Sequence, residues 1–162
     1  MLMPIPNPQF KDVMSSIPTS VGIILVSVED SQIVGCTISS FFSISVNQEE
    51  ESVGFVLRNN SRTGTALEER NTFRISILGQ NQIQIANIFA SGKSPEDLNK
   101  ALKETNKWEA NAVCHFELKY IKKYAEKWST LYISNLISFQ MNSNIKPLIY
   151  SHRKFSSISS PR

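Results

Sequence analysis

The sequence predicts a mainly β protein whose strands close into a barrel carrying a few short α-helices. Val21 to Val28 is rich in Val and Ile, with Gly22 its one weak point, and reads as a mostly buried strand. Phe73, Ile75 and Ile77 alternate as one buried face of a second strand. The final third holds two long extended stretches, Val113–Tyr124 and Thr130–Phe139, separated by the polar Ala125–Ser129. About six or seven strands with short helices between them favour a closed sheet over a helical bundle.

Taken in order, Asn7 followed by Pro8 reads as a helix cap with proline in the first turn. Phe10, Val13, Met14 and Ile17 continue at helical spacing until Pro18 closes the segment. After the strand at Val21, the residues Glu29, Asp30 and Ser31 supply a turn, and Ile33–Ile38 is extended again. Ser52–Leu57 reads as a further strand and Thr65–Arg70 as a short helix. Asn81–Ala90 returns to helical spacing through Ile85, Ile88 and Phe89. Ser94-Pro95-Glu96-Asp97 is a helix start: a hydroxyl cap, proline at the first position and acids in the first turn. That helix is expected to run to about Asn106. Pro147–Tyr150 is a short last strand, and the Ser-rich tail from Ser156 is expected to be loose.

The 162 residues, 41% hydrophobic and 19% charged, suit one globular domain over 1–162, with loose termini at 1–6 and 156–162. The net charge is only +3, and Lys119, Lys122 and Lys123 form the one local basic cluster, which argues against nucleic-acid binding. Cys36 and Cys114 have neither zinc-site spacing nor a disulfide framework, and read as two reduced thiols. No apolar run approaches the ~20 residues of a membrane span, and the opening residues resemble no secretion signal. The expectation is a cytoplasmic protein.

Two segments carry candidate chemistry. In Gly35-Cys36-Thr37-Ile38-Ser39-Ser40-Phe41-Phe42-Ser43-Ile44-Ser45, five hydroxyls fall within nine residues. A bound polyol or heteroaromatic ring would partner them; an exposed edge strand would leave them to water. In Arg58-Asn59-Asn60-Ser61-Arg62-Thr63-Gly64, two arginines and two hydroxyls precede a helix. That composition suits a phosphate, through guanidinium forks and free helix N–H groups, and equally a polar capping loop.

These residues carry a family resemblance. The first segment resembles the Gly-Met-Thr-x-Ser-Ser-Phe-x-Ser-Val-Ser signature of short flavin reductases with an FMN-binding, Greek-key split-barrel fold. These are the reductase partners of two-component flavin monooxygenases. Arg58–Thr63 resembles the family's Asn-x-Ser-x-Thr segment, and Ile17–Val21 its Phe-Pro-x-Gly-Val turn. Ile75–Leu78 with Gln80 and Gln82 resembles its Val-Asn-Val-Leu-x-x-x-Gln run. Pro147–Phe155 resembles the closing Pro-Leu-x-Tyr-x-x-Arg-x-Tyr. The likeness runs from Phe10 to about Phe155.

The resemblance implies an NAD(P)H-dependent flavin reductase. In it Thr37, Ile38, Ser39 and Ser40 line the isoalloxazine edge, and Arg58, Asn60, Ser61 and Thr63 hold the ribityl chain and phosphate. Gln80 and Gln82 would reach the distal part of FMN or FAD. Ser129, His152 and Arg153 would lie on the nicotinamide side. It also implies a homodimer and a monooxygenase partner. One departure bears on activity: aligned without gaps from Glu117, the family's Gly-Asp-His triplet is here Lys127-Trp128-Ser129. A flavin-binding or electron-carrier protein without efficient NAD(P)H oxidation is therefore the alternative. No residue is singled out as a catalytic acid or base, and no metal-ligand spacing occurs. His115, on a strand, reads as a surface or satisfied-core histidine, and Trp128 as a loop aromatic packed on the barrel or a flavin-stacking lid.

Overall fold

A computed structural model describes residues 7–29, 32–47, 49–105 and 107–158. In chain order its elements are α1 (Asn7–Ser16), β1 (Thr19–Ser20), β2 (Gly22–Ser27), β3 (Ile33–Ile38), β4 (Phe42–Val46) and β5 (Glu51–Arg58). There follow α2 (Arg62–Arg70), β6 (Thr72–Ile77), α3 (Ile83–Ala90), α4 (Pro95–Glu104) and a 3₁₀ turn at Trp108–Asn111. The chain finishes with β7 (Cys114–Ala125), β8 (Ser129–Met141), β9 (Leu148–Ser151) and β10 (Lys154–Ser157). The side chain of Asn7, the turn residues Asp30 and Ser31, and residues 1–6 and 159–162 lie outside what is described.

Seven strands form one antiparallel sheet in the order β3-β2-β6-β7-β8-β5-β4, and β1, β9 and β10 form a second, small sheet. The mainly β expectation holds, with two differences. The large sheet is not closed by a ladder: its edge strands, β3 and β4, are not paired with each other. Yet they are joined by residues 39–41 alone, which at about 3.3–3.6 Å per residue cannot span far. The sheet must therefore curl until its two edges nearly meet. Where they approach, Ser40 replaces a ladder pair. Its Oγ accepts from the Val56 N–H at 3.0 Å and donates to the Val56 carbonyl at 3.2 Å.

The second difference is that the tail expected to be loose from Ser156 is a strand as far as Ser157, with Ser156 opposite Ile149 and Ser157 opposite Leu148. This hairpin turns at His152 and Arg153, both at positive φ (50° and 60°), the backbone that a tight two-residue turn needs.

Apolar side chains fill both faces of the sheet. Within the curl, Ile24, Val26, Phe55, Phe73, Ile75 and Leu118 meet Ala66 and Leu67 from α2. On the outside, Ile23, Leu25 and Leu78 meet Ile85 and Phe89 from α3 and Leu98 from α4. Strand β2 sends alternate residues to each core, which explains its unbroken Val/Ile run. The helix starts follow their sequence signals: Ser94 Oγ accepts from the Asp97 N–H, and Ser61 Oγ accepts from the Gly64 N–H at 3.0 Å.

The fit of α3 on β3 rests on Gly35. A Cβ there would clash with the Ile24 carbonyl and stand 2.7 Å from the Phe89 ring. Gly35→Ala is therefore expected to destabilise the protein by about 1–3 kcal/mol, read as a lowered midpoint of urea unfolding. An unchanged midpoint would show that α3 yields at no cost.

Candidate functional site

A cleft of about 650 Å³ opens where the free edge of β3 faces the end of β5, the start of α2, and the α3–α4 connection. Its walls bring together Thr37, Ile38, Ser39, Ser40, Arg58, Ser61 and Thr63, the core of both segments singled out in the sequence. Because β3 is an edge strand paired only with β2, the backbone groups on its other side are open to a ligand.

Local folding places each side chain. Asn60 adopts φ of 58°, so the chain turns sharply after Arg58, and the Ser61 N–H donates to the Arg58 carbonyl at 3.3 Å. Helix α2 then starts at Arg62 with its first turn directed at the cleft. Thr63 is buried, and its hydroxyl is hydrogen-bonded to the Cys36 thiol across the wall. Burial raises the Cys36 pKa above its ordinary value, against the smaller opposite effect of that bond. The thiol therefore stays neutral near pH 7 and adds no negative charge to the cleft.

Several of the hydroxyls are already engaged within the chain. Thr37 Oγ1 donates to the Ala86 carbonyl at 2.6 Å, and Ser61 Oγ caps α2. Each keeps lone pairs for a further donor. Ser39 is exposed.

The electrostatics are one-sided. Arg58, Arg62 and Lys93 line the cleft, and among the described residues no Asp or Glu does. Arg62 reaches over to the α3–α4 connection, donating from Nη2 to the carbonyls of Gly92 at 2.6 Å and Lys93 at 2.8 Å. Its charge stays unneutralised while its position is fixed. Arg62 belongs to the candidate phosphate segment, whereas Lys93 and Phe89 are not among the residues expected from the sequence. Lys93 gives a weak signal, a Gly-Lys pair just before the capped start of α4; nothing in the sequence brings Phe89 to the site.

The remaining candidates lie elsewhere. Asn60 lines an adjoining groove with Ser61. Gln82 is buried, and both ends of its amide are used: Oε1 accepts from the Gly79 N–H at 2.9 Å and Nε2 donates to the Trp108 carbonyl at 2.7 Å. Gln80 pairs through its backbone N–H with the Lys146 carbonyl. Neither glutamine lines the cleft. Ser129 stands directly opposite Arg58 in the β5–β8 ladder. His152 and Arg153 sit at the β9–β10 turn, where His152 Nδ1 bonds Ser151 Oγ and Arg153 pairs with Asp12 of α1 at 2.6 Å. His115 is satisfied on both nitrogens, by Ser76 Oγ at 2.7 Å and the Glu109 carbonyl at 3.0 Å. Among the described residues, no group of three His, Cys, Asp or Glu could hold a metal ion.

Comparison with known proteins gives this geometry a family. No curated protein matches the chain significantly. The model of the flavin reductase like domain matches residues 14–159. Among solved structures, the NADH:FAD oxidoreductase of Streptomyces globisporus in complex with NAD and FAD fragments superposes with a TM-score of 0.82 at 20% identity, over 98% of this chain and 96% of that one. The flavin reductase component of a bacterial two-component tryptophan halogenase gives 0.81 at 17% identity, over 95% and 99%. The styrene monooxygenase flavin reductase of Pseudomonas putida S12 gives 0.76 at 18% identity, over 94% and 99%. These likenesses establish a shared fold, and the match over residues 14–159 shows that the chain belongs to the flavin reductase-like family.

Proposed function

We propose that the chain is an NAD(P)H-dependent flavin reductase that binds FMN or FAD in the cleft along β3. The observation carrying this reading is the cleft itself: an open strand edge at one end and a cationic helix start at the other, with no carboxylate between them. The residues present fit the cofactor. A volume of about 650 Å³ lies in the range of small-molecule sites. Backbone groups of residues 37–40 suit the carbonyl and ring-nitrogen edge of the isoalloxazine. Arg58, Ser61 and the N–H groups opening α2 suit a phosphate.

When bound, the flavin supplies the two-electron chemistry, accepting a hydride from the nicotinamide. The chain's own task is to hold the ring by one edge and leave a face open for a stacked donor at about 3–3.5 Å. No protein acid or base is needed for that. Tilting Arg58 or Ser61 would instead cost affinity and alignment.

The same reading covers assembly. The outer face of β4, β5, β8 and β7 carries Phe42, Ile44, Val56 and Tyr124, all large and exposed, with Val56, Leu131 and Tyr124 in one row of the ladders. An uncovered apolar face of this kind suits a second copy of the chain. A homodimer would let Ser129, His152 and Arg153 act at a site shared between protomers, on its nicotinamide side. The curled sheet with its nearly meeting edges is read as the family's Greek-key split barrel. Among the described residues no helix is long and apolar enough to cross a membrane. Two free thiols agree with a reducing cytoplasm. Reduced flavin leaving such a site would pass to a monooxygenase.

Two outcomes test this reading. Purified protein with added FMN or FAD is expected to oxidise NADH or NADPH well above the protein-free rate, followed by loss of nicotinamide absorbance. Flavin binding without that oxidation would favour the electron-carrier alternative, which the Lys127-Trp128-Ser129 triplet motivates. Secondly, Arg58→Gln is expected to weaken FMN about 10- to 100-fold, the loss of a charge-assisted bond, and to leave riboflavin affinity nearly unchanged. Equal losses for both would place Arg58 away from the phosphate.

A further inference from the structure

The turn joining β7 to β8 presents Trp128 with 76% of its surface exposed. A single exposed apolar side chain is ordinary on a protein surface. This one stands on a turn fastened to the candidate phosphate segment through one residue. The Asn59 N–H donates to the Trp128 carbonyl at 3.2 Å. The Asn59 side chain donates from Nδ2 to the Glu126 carbonyl at 2.8 Å, and its Oδ1 accepts from the Thr130 hydroxyl at 2.7 Å. Across the turn the Glu126 N–H donates to the Ser129 carbonyl at 2.8 Å. Asn59 thus locks both legs of the hairpin, while Arg58 just before it and Ser61 two residues after it line the cleft. Lys127 Nζ lies 5.2 Å from the centre of the indole, which steadies the ring and adds positive charge beside it.

A second groove of about 520 Å³ adjoins the strand ends that carry this turn. Ala125 and Thr130, the legs of the hairpin, form part of its wall; Asn60, Thr65, Glu68 and Glu69 face them, and Ser61 lines both this groove and the cleft. The groove is polar. Glu68 is occupied, paired with Lys123 at 2.6 Å and accepting from the Tyr132 hydroxyl at 3.0 Å. Glu69 is exposed on the same helix. A path therefore leads from the phosphate end of the cleft, past Ser61, into a groove lined by Glu69 and by Asn59, the residue whose N–H holds the backbone of the turn that carries the exposed Trp128. Carboxylates accept ribose hydroxyls, and an exposed indole stacks a base irrespective of its identity.

We propose that this groove and Trp128 receive the adenosine half of a dinucleotide, its adenine on the indole and its ribose toward Glu69, so that the chain holds FAD in preference to FMN. The assignment rests on the flavin-reductase reading. NADH carries the same adenosine, so the test separates the two sources.

Wild type, Trp128→Phe and Trp128→Ala are titrated with ADP by tryptophan fluorescence, with the buried Trp108 (6% exposed) as a constant background. Saturable quenching is expected in wild type and none in Trp128→Ala. Titration with flavins is expected to show FAD weakened about tenfold in Trp128→Ala and much less in Trp128→Phe, with FMN within about twofold throughout. Absence of ADP quenching in wild type, or equal losses for FAD and FMN, overturns the proposal. A rise confined to the KM for NADH, with FAD affinity unchanged, moves the adenosine to the nicotinamide nucleotide and overturns the FAD assignment. Should wild type bind neither FMN nor FAD, the flavin-reductase reading fails and this assignment fails with it, whereas binding of FMN with no preference for FAD fails this assignment alone.

Discussion

The three-residue link between β3 and β4 is the constraint on which the rest of the structure depends. These strands are the two edges of a seven-stranded sheet, and residues 39–41 give them almost no room to separate. The sheet must curl, the curl encloses one core, and its convex face is left for α3 and α4 to cover. Closure stops one ladder short. Ser40, bonded both ways to the backbone of Val56, fastens one end of the gap, while the remaining edge of β3 stays unpaired. That unpaired edge, usually a hazard for aggregation, becomes a wall of the cleft. The same short link thus fixes the barrel-like curvature and leaves the backbone groups that a planar ring can use.

Around that edge the chain arranges charge with some economy. Arg62 is pinned by two carbonyls of the α3–α4 connection, which couples the start of α2 to the far wall of the cleft. Arg58 and Lys93 complete a cationic end without a carboxylate, and the Cys36 thiol is kept neutral by burial. A group bearing phosphate would find fixed positive charge and helix N–H donors there, and apolar strand residues toward the other end. Such a polarised cleft orients a ligand more than it reacts with it. That suits hydride transfer between two cofactors, where alignment of the two rings matters most.

Much of this was legible in the residues, for reasons particular to each element. The Val21–Val28 run reads as a mostly buried strand, and β2 is buried because it feeds two cores at once. Ser94-Pro95 announced the start of α4 because its capping chemistry is local. β4 alternates Phe42, Ile44 and Val46 with Ser43 and Ser45, in line with the exposed edge strand that is one reading of that segment, whereas β10 is a four-residue edge strand paired with β9 across a turn, too short for its pattern to stand out from a serine-rich tail. The hydroxyl strand and the Arg58–Thr63 segment, which the structure brings to one cleft, stand out in the sequence because polar side chains and local turn chemistry coincide there. Lys93 and Phe89 come from a helix connection about thirty residues further on, and only the packing of α3 against Gly35 brings them in. Gln80 and Gln82, by contrast, lie away from that cleft, and the Gln82 amide braces Gly79 against Trp108.

A crystal structure of the protein with FMN tests the central claim most directly. The predicted result has the phosphate within hydrogen-bond distance of Arg58 and the N–H groups opening α2, with the ring edge along the backbone of Thr37–Ser40. A flavin seated on another face of the sheet, or one whose phosphate points away from Arg58 and Ser61, would contradict it.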